Sequence, residues 1–138
     1  MALPNGAGGY QVGSGNRGEL ILGYSDAPLS QAGSATLSAA QVTAGILLVG
    51  SGATTAQTYT LPSAALVDAE ISSGSAGSTF DLIVVNLGTS SGTAALAMGS
   101  GTGFTDGGNA TVALPVTSSG IFRFRMTGEN TYTVYRIG

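Results

Sequence analysis

Apolar positions in this chain come in short runs. The most coherent is residues 79–87, Thr-Phe-Asp-Leu-Ile-Val-Val-Asn-Leu, closed by the turn residues Gly-Thr-Ser-Ser-Gly of 88–92. A nearly continuous, β-branched run bounded by turns is how a strand buried on both faces reads. We take it as the central strand of one core. Residues 19–23, 34–37, 46–49, 57–61, 93–98, 110–114, 120–127 and 131–137 read as further short strands around it. Within 120–127, Phe122, Phe124 and Met126 alternate with Ile121, Arg123 and Arg125, so one face is apolar and the other carries arginines. The first is expected in the core, and the second against solvent or a neighbouring subunit. Gly128-Glu-Asn130 then predicts a bulged hairpin to the last strand.

Helical pattern is scarce. Residues 38–45 allow a turn or two of helix, with Ser38 as N-cap and Gly45 as stop. Residues 62–71 are the best helix: Pro62 suits a first turn, and Ala64, Ala65, Leu66 and Ala69 favour the conformation. Leu61, Ala65 and Ala69 fall at helical spacing with Leu66 beside them, which predicts a helix plugging one end of the core. Residues 24–33, 72–78 and 99–108 read as loops. Residues 1–18 hold glycines at 6, 8, 9, 13, 15 and 18 and few anchors. Such a segment cannot bury enough of itself to offset its ordering entropy, so it is expected either disordered alone or laid against a partner. The expectation is an all-β chain: an extended Gly-rich arm, 1–18, and one domain, 19–138, a sandwich or barrel of about eight short strands with one dominant short helix.

Composition narrows the function. Only 8% of the 138 residues are charged, the net charge is -3, and the four basic residues, Arg17, Arg123, Arg125 and Arg136, form no basic run. That lacks the electrostatic footprint of nucleic-acid binding. So few charges leave an outside of hydroxyls, glycine and alanine, or one covered by other subunits, and weaken the repulsion that keeps monomers apart. No run approaches the length of a membrane span, and the first residues lack the basic and apolar regions of a secretory signal, which points to synthesis in a cytoplasm.

Chemistry is nearly missing. The chain has no His, Cys or Lys, which excludes the usual triads, thiol nucleophiles, most transition-metal sites and P-loop chemistry. Gly13-Ser-Gly15-Asn-Arg-Gly18 matches G-x-G-x-x-G but has an unstructured arm before it and a strand after it, where a dinucleotide site needs a strand and then a helix. Asp68 and Glu70 are two apart on a helix and do not share a face. Asp81 and Asp106 fit catalytic carboxylates, but equally a turn cap or an arginine partner. The Asp106–Asn109 loop fits calcium or a turn, and Asn109-Ala-Thr111 fits a glycosylation sequon or a turn entering a strand. Tyr59, Tyr132 and Tyr135 fit a sugar-stacking platform or core and interface positions. No residue is singled out as catalytic, cofactor-binding or metal-binding.

Several stretches together, in their order and spacing, resemble the capsid decoration, or cement, proteins of tailed bacteriophages, including those of cyanophages and environmental phages. They are Leu3-Pro-Asn-Gly-Ala-Gly-Gly-Tyr-Gln11, Gly15-Asn16 with residues 19–23, Tyr59-Thr-Leu-Pro62, Ser78-Thr-Phe-Asp81, Asn86-Leu-Gly-Thr-Ser-Ser-Gly92, Phe122-Arg-Phe-Arg-Met-Thr-Gly128 and Tyr132-Thr-Val-Tyr-Arg-Ile137. The resemblance implies a jelly-roll-like domain that forms a homotrimer on the outer surface of the phage head and clamps major capsid subunits, without catalysis. On that footing Leu3, Pro4, Tyr10, Asn16 and Arg17 are expected to anchor the arm to capsid, and Arg123, Arg125 and Arg136 to pair across subunits or with an acidic capsid patch. The competing expectations are a fibre- or tail-tip module contacting host glycans through loop 99–108 and tyrosines, and a non-viral carbohydrate-binding domain.

Overall fold

In the computed structural model, which describes residues 23–138, the chain passes back and forth between two sheets and then closes with a hairpin. The elements are β1 (Leu29–Gln31), β2 (Ala35–Thr36), α1 (Ala39–Val42), β3 (Ile46–Val49), β4 (Gln57–Thr60), α2 (Ala64–Glu70), β5 (Thr79–Asn86), β6 (Ala94–Ala97), β7 (Phe104–Asp106), β8 (Ser119–Gly128) and β9 (Thr131–Arg136). A six-stranded sheet has the order β1-β3-β5-β8-β9-β7, and a three-stranded sheet the order β2-β4-β6. The first six strands thus alternate between sheets, and within each sheet they stack in parallel. β5 is the pivot, parallel to β3 on one side and antiparallel to β8 on the other. The all-β expectation holds. The winding, however, is not that of a jelly roll, which is built from antiparallel Greek keys: β7 also runs parallel to β9, leaving β5–β8 and β8–β9 as the antiparallel strand pairs among the described residues.

One apolar cluster fills the space between the sheets. Leu47, Val49, Leu82, Val84, Phe122, Phe124, Met126, Tyr132 and Val134 come from the large sheet, and Tyr59, Ala94 and Leu96 from the small one. Registers align these side chains in rows, Leu47 beside Val84 and Leu82 beside Phe122. Phe124 stacks on Phe80 with centroids 4.8 Å apart and meets the edge of Phe104 at 5.8 Å, arrangements worth about 0.5–1.5 kcal/mol each beyond area burial. The apolar side expected for Phe122, Phe124 and Met126 is the core.

The structure departs from the sequence reading where short elements depend on distant partners. β1 lies within the expected loop 24–33 and β7 within the expected loop 99–108, each held by a neighbouring strand. Residues 110–114 form a turn with one bridge, Ala94 to Leu114, instead of a strand. α1 carries the expected cap, Ser38 accepting from Gln41 N while Gln41 accepts from Ser38 N. In α2 the helical phase starts later than expected. Leu61 N still bonds to Ala97 O as an extension of β4, Pro62 precedes the cap Ser63, and Ala64 N bonds to Thr102 O. The buried side is therefore Ala64 and Val67, with Ala65, Leu66 and Ala69 exposed. β5 is buried on one face only, through Leu82, Val84 and Asn86, with Ile83 and Val85 partly exposed. The expected strand 19–23 and the arm 1–18 lie outside the described residues, apart from Gly23, which is in no strand.

Asn86, 1% exposed, ends the central strand and ties three segments together. Its Nδ2 donates to Gly92 O and Pro115 O, each at 3.0 Å, with Leu114 O at 3.3 Å, and its Oδ1 accepts from Gly88 N at 2.9 Å. The turn closes so tightly that a Cβ on Gly88 would stand 2.1 Å from Gly92 O, and one on Gly92 2.4 Å from Ala53 O. Removing the amide would strand Gly92 O and Gly88 N, whereas Leu114 O keeps Ala94 N and Pro115 O keeps Ser118 Oγ. Asn86→Ala should lower the unfolding free energy by about 2–4 kcal/mol, read from urea titration. A loss under about 1 kcal/mol would show that water replaces the amide and that Asn86 is not the fastener.

Candidate functional site

Alternation in the strands gives the large sheet an outer face opposite the core, and the arginines of β8 lie there. Arg123 Nε and Nη2 donate to Asp81 Oδ1 and Oδ2 at 2.8 and 3.0 Å, a two-pronged pair between neighbouring strands with both side chains substantially exposed. This pairing holds the Asp81 carboxyl below its ordinary range. Arg125 is exposed one pleat further on, opposite Thr79 and Thr133. Arg136 is not on this face. It stands opposite Phe122, in register with the core side, and its Nε donates to Gly138 O. The structure thus brings Arg123 and Arg125 together and sets Arg136 apart, while Leu3, Pro4, Tyr10, Asn16 and Arg17, like the glycine motif 13–18, lie outside the described residues.

Sequence reasoning missed what these arginines flank. Ile46 is in register with Ile83, Ile83 with Ile121, and Ile137 N, just past the end of β9, bonds to Ile121 O, so four isoleucines line up across β3, β5, β8 and the residue that follows β9. Leu48 beside Val85 forms a second row. Ile46, Leu48, Ile83, Val85 and Ile121 are partly exposed, and Ile137 is 50% exposed. Ile121 sharing a face with Arg123 was the one visible signal. The rest required the strand order. Chemically, this face offers apolar rows beside one ion pair and one further guanidinium.

The remaining candidates resolve into structural roles. Asp106 Oδ1 accepts from Gly108 N and Ala110 N, and its Oδ2 from Thr111 Oγ1, all at 2.8 Å, so it caps the turn it stands in. Those donors, the Ala110 and Gly108 amides foremost, hold its carboxyl below the ordinary range. Asn109 pairs both ways with the Arg136 backbone, Nδ2 to O at 2.9 Å and Oδ1 from N at 3.0 Å, which extends the sheet in place of a strand. Tyr59 and Tyr132 are buried, as core residues rather than a stacking platform. The Tyr132 hydroxyl donates to Asp68, whose other oxygen accepts from Asn130 N at 2.7 Å, locking α2 to the β8–β9 hairpin. Burial first, then Asp68, raises the Tyr132 phenol well above its usual range. No group of three or more His, Cys, Asp or Glu able to hold a metal occurs among the described residues.

No protein-family model, curated protein or solved structure matches the chain.

Asp81 and Asp106 both bind protons less readily folded than unfolded. Their contribution is therefore fully present above the ordinary carboxylate value of 3.8 and is lost as the pH falls below it. The thermal midpoint should be flat from pH 7 to about 5 and decline below about 4, with a shallower decline in the Asp81→Ala, Asp106→Ala double variant. An unchanged acid slope in that variant would assign the decline to other carboxylates. Both groups are accessible to solvent, so the effect is expected to be small.

Proposed function

We propose that this chain is a structural virion protein, a capsid decoration protein that assembles as a homotrimer on the outer surface of a phage head and clamps neighbouring major capsid subunits. The observation that carries the reading is the outer face of the large sheet. It presents Ile46, Ile83 and Ile121 in one row beside Arg123 and Arg125, on a chain of which only 8% of residues are charged. That is the make-up of a surface meant to meet protein. The family resemblance supplies the partner, the major capsid protein, and assigns Leu3, Pro4, Tyr10, Asn16 and Arg17 of the arm to it. It also brings a jelly roll, but the reading itself requires only a rigid two-sheet β-body. Many copies on one lattice would let modest single contacts sum to firm attachment.

A fibre- or tail-tip module contacting host glycans is the competing reading. Of Tyr59, Tyr132 and Tyr135, the tyrosines that would form its stacking platform, only Tyr135 is exposed, at 37%, which weakens it. The deciding measurement is the copy number per purified virion, by quantitative mass spectrometry against the major capsid protein. Decoration predicts hundreds of copies in fixed ratio to the shell. A handful would indicate a tip module, and absence from virions would overturn both. Within the decoration reading, a chain lacking residues 1–18 should fold and self-associate but no longer bind heads, as scored by co-sedimentation with undecorated capsids. Normal binding by the truncated chain would remove the arm from the contact.

A further inference from the structure

Among the described residues, two apolar surfaces lack the cover their positions call for, and each has what the other needs. Parallel strands usually occur in sheets covered on both faces, commonly by helices, yet the outer sides of β3 and β5 leave Ile46, Leu48, Ile83 and Val85 partly exposed. α2, conversely, carries an apolar side that does not face its own core: Ala65 and Ala69 are exposed and Leu66 is 57% exposed. That side borders an open cleft of about 530 Å³ between α1 and α2. The charges of the two surfaces are opposite. On the sheet face Arg123 is matched by Asp81, which among the described residues leaves Arg125 as its net positive charge. The α2 end carries exposed Glu70, four residues after Leu66 and so on the same side of the helix, and exposed Glu129 in the adjoining hairpin turn.

We propose that the outer face of the large sheet in one copy of this chain receives the exposed side of α2 from a second copy, Leu66 packing over the Ile83 and Ile121 row and Glu70 or Glu129 approaching Arg125. The two surfaces differ, so the contact is head-to-tail and closes into a ring if the rotation allows. This rests on the self-associating reading above, for which it names the contact, and does not depend on attachment to a phage head.

The test uses the full chain in solution, by sedimentation velocity across a concentration series. Ile83→Thr and Leu66→Gln should each weaken association at least about tenfold, as expected for central apolar contacts, with unfolding midpoints no lower than the wild type at matched monomeric dilution. Arg125→Glu and Glu70→Arg should each weaken it about fivefold or more, and the two together should recover most of the loss, as a like-charge clash is replaced by a reversed pair. A second readout does not depend on variant stability. The chain has no cysteine, so an Ile83→Cys chain mixed with a Leu66→Cys chain should join through a short bis-maleimide into mixed dimers far more than either does alone. A monomer at every concentration, association indifferent to these variants, or equal cross-linking in mixed and unmixed samples would each overturn the proposal. Failure of the virion measurement with success here would retire the decoration reading alone.

Discussion

The side chain of Asn86 stands where the fold changes its rule of construction. Up to the end of β5 each strand of the large sheet is laid parallel to the one before; beyond it the chain returns antiparallel through β8 and β9. The crossover at this end needs a turn after β5, a return segment at residues 114–118, and a way to satisfy carbonyls pushed inside. One amide does all three, reaching Gly92, Pro115 and Leu114 with its nitrogen and Gly88 with its oxygen. A hydrophobic side chain of that size would leave Gly92 O and Gly88 N unpaired, which is more costly than the modest net gain of making each bond. At the opposite end, Asp68 plays the corresponding part for α2 and the hairpin, through Tyr132 and Asn130. The two polar fasteners hold the ends, and the aromatic cluster of Phe80, Phe104, Phe124 and Tyr132 packs at the Asp68 end, around the start of β5.

What could be read from the sequence is what is locally encoded. The strands at 46–49, 57–60, 79–86, 119–128 and 131–136 announced themselves by β-branched runs and alternation, the α1 N-cap by Ser38, and the division of β8 into an apolar and an arginine side by period two. What stayed hidden depends on partners far away in the chain. Leu29–Gln31 is a strand because β3 lies beside it, and no three-residue segment declares that alone. Leu61 looked like the first residue of a helical stripe, but its amide is committed to Ala97, which resets the phase of α2 and turns Ala65, Leu66 and Ala69 outward. Parallel or antiparallel order leaves little trace in short strands, so the winding had to be seen. The same holds for the candidate surface: its arginines were visible as a pair, whereas the isoleucine row exists only once β3, β5, β8 and β9 are neighbours.

The sequence signal of β5 nonetheless carried information that the isolated fold does not use. Ile83 and Val85 alternate with Leu82 and Val84, and that near-continuous run is the pattern of a strand buried on both sides. One side meets the core. Natural sheets facing water on one side usually turn polar there, and the neighbouring stretch of this same sheet does so, with Thr79, Arg125, Thr133 and Thr105 in adjacent positions. The apolar character is therefore confined to a patch rather than spread over the face. A patch bordered by charges and hydroxyls is how surfaces meant for a specific protein contact are generally built.

Low charge fits the same logic. A monomer living at high concentration gains solubility from charge and from interspersed ion pairs; only 8% of this chain is charged, and the described residues hold one ion pair. A chain that spends its life against other subunits gains little from them, because each charge carried into an interface must be desolvated and matched. Hydroxyls, glycine and alanine cover the outside at low desolvation cost, leaving a few charges to set orientation. In the proposed contact between copies, specificity would come from where Arg123, Arg125, Glu70 and Glu129 stand, and strength from apolar area and from the number of linked contacts. An assembly held in that way needs no catalytic group and no metal at its joints. It needs a body stiff enough that its separate surfaces keep their relation to one another, which the buried amide of Asn86 and the Asp68 clasp are positioned to provide.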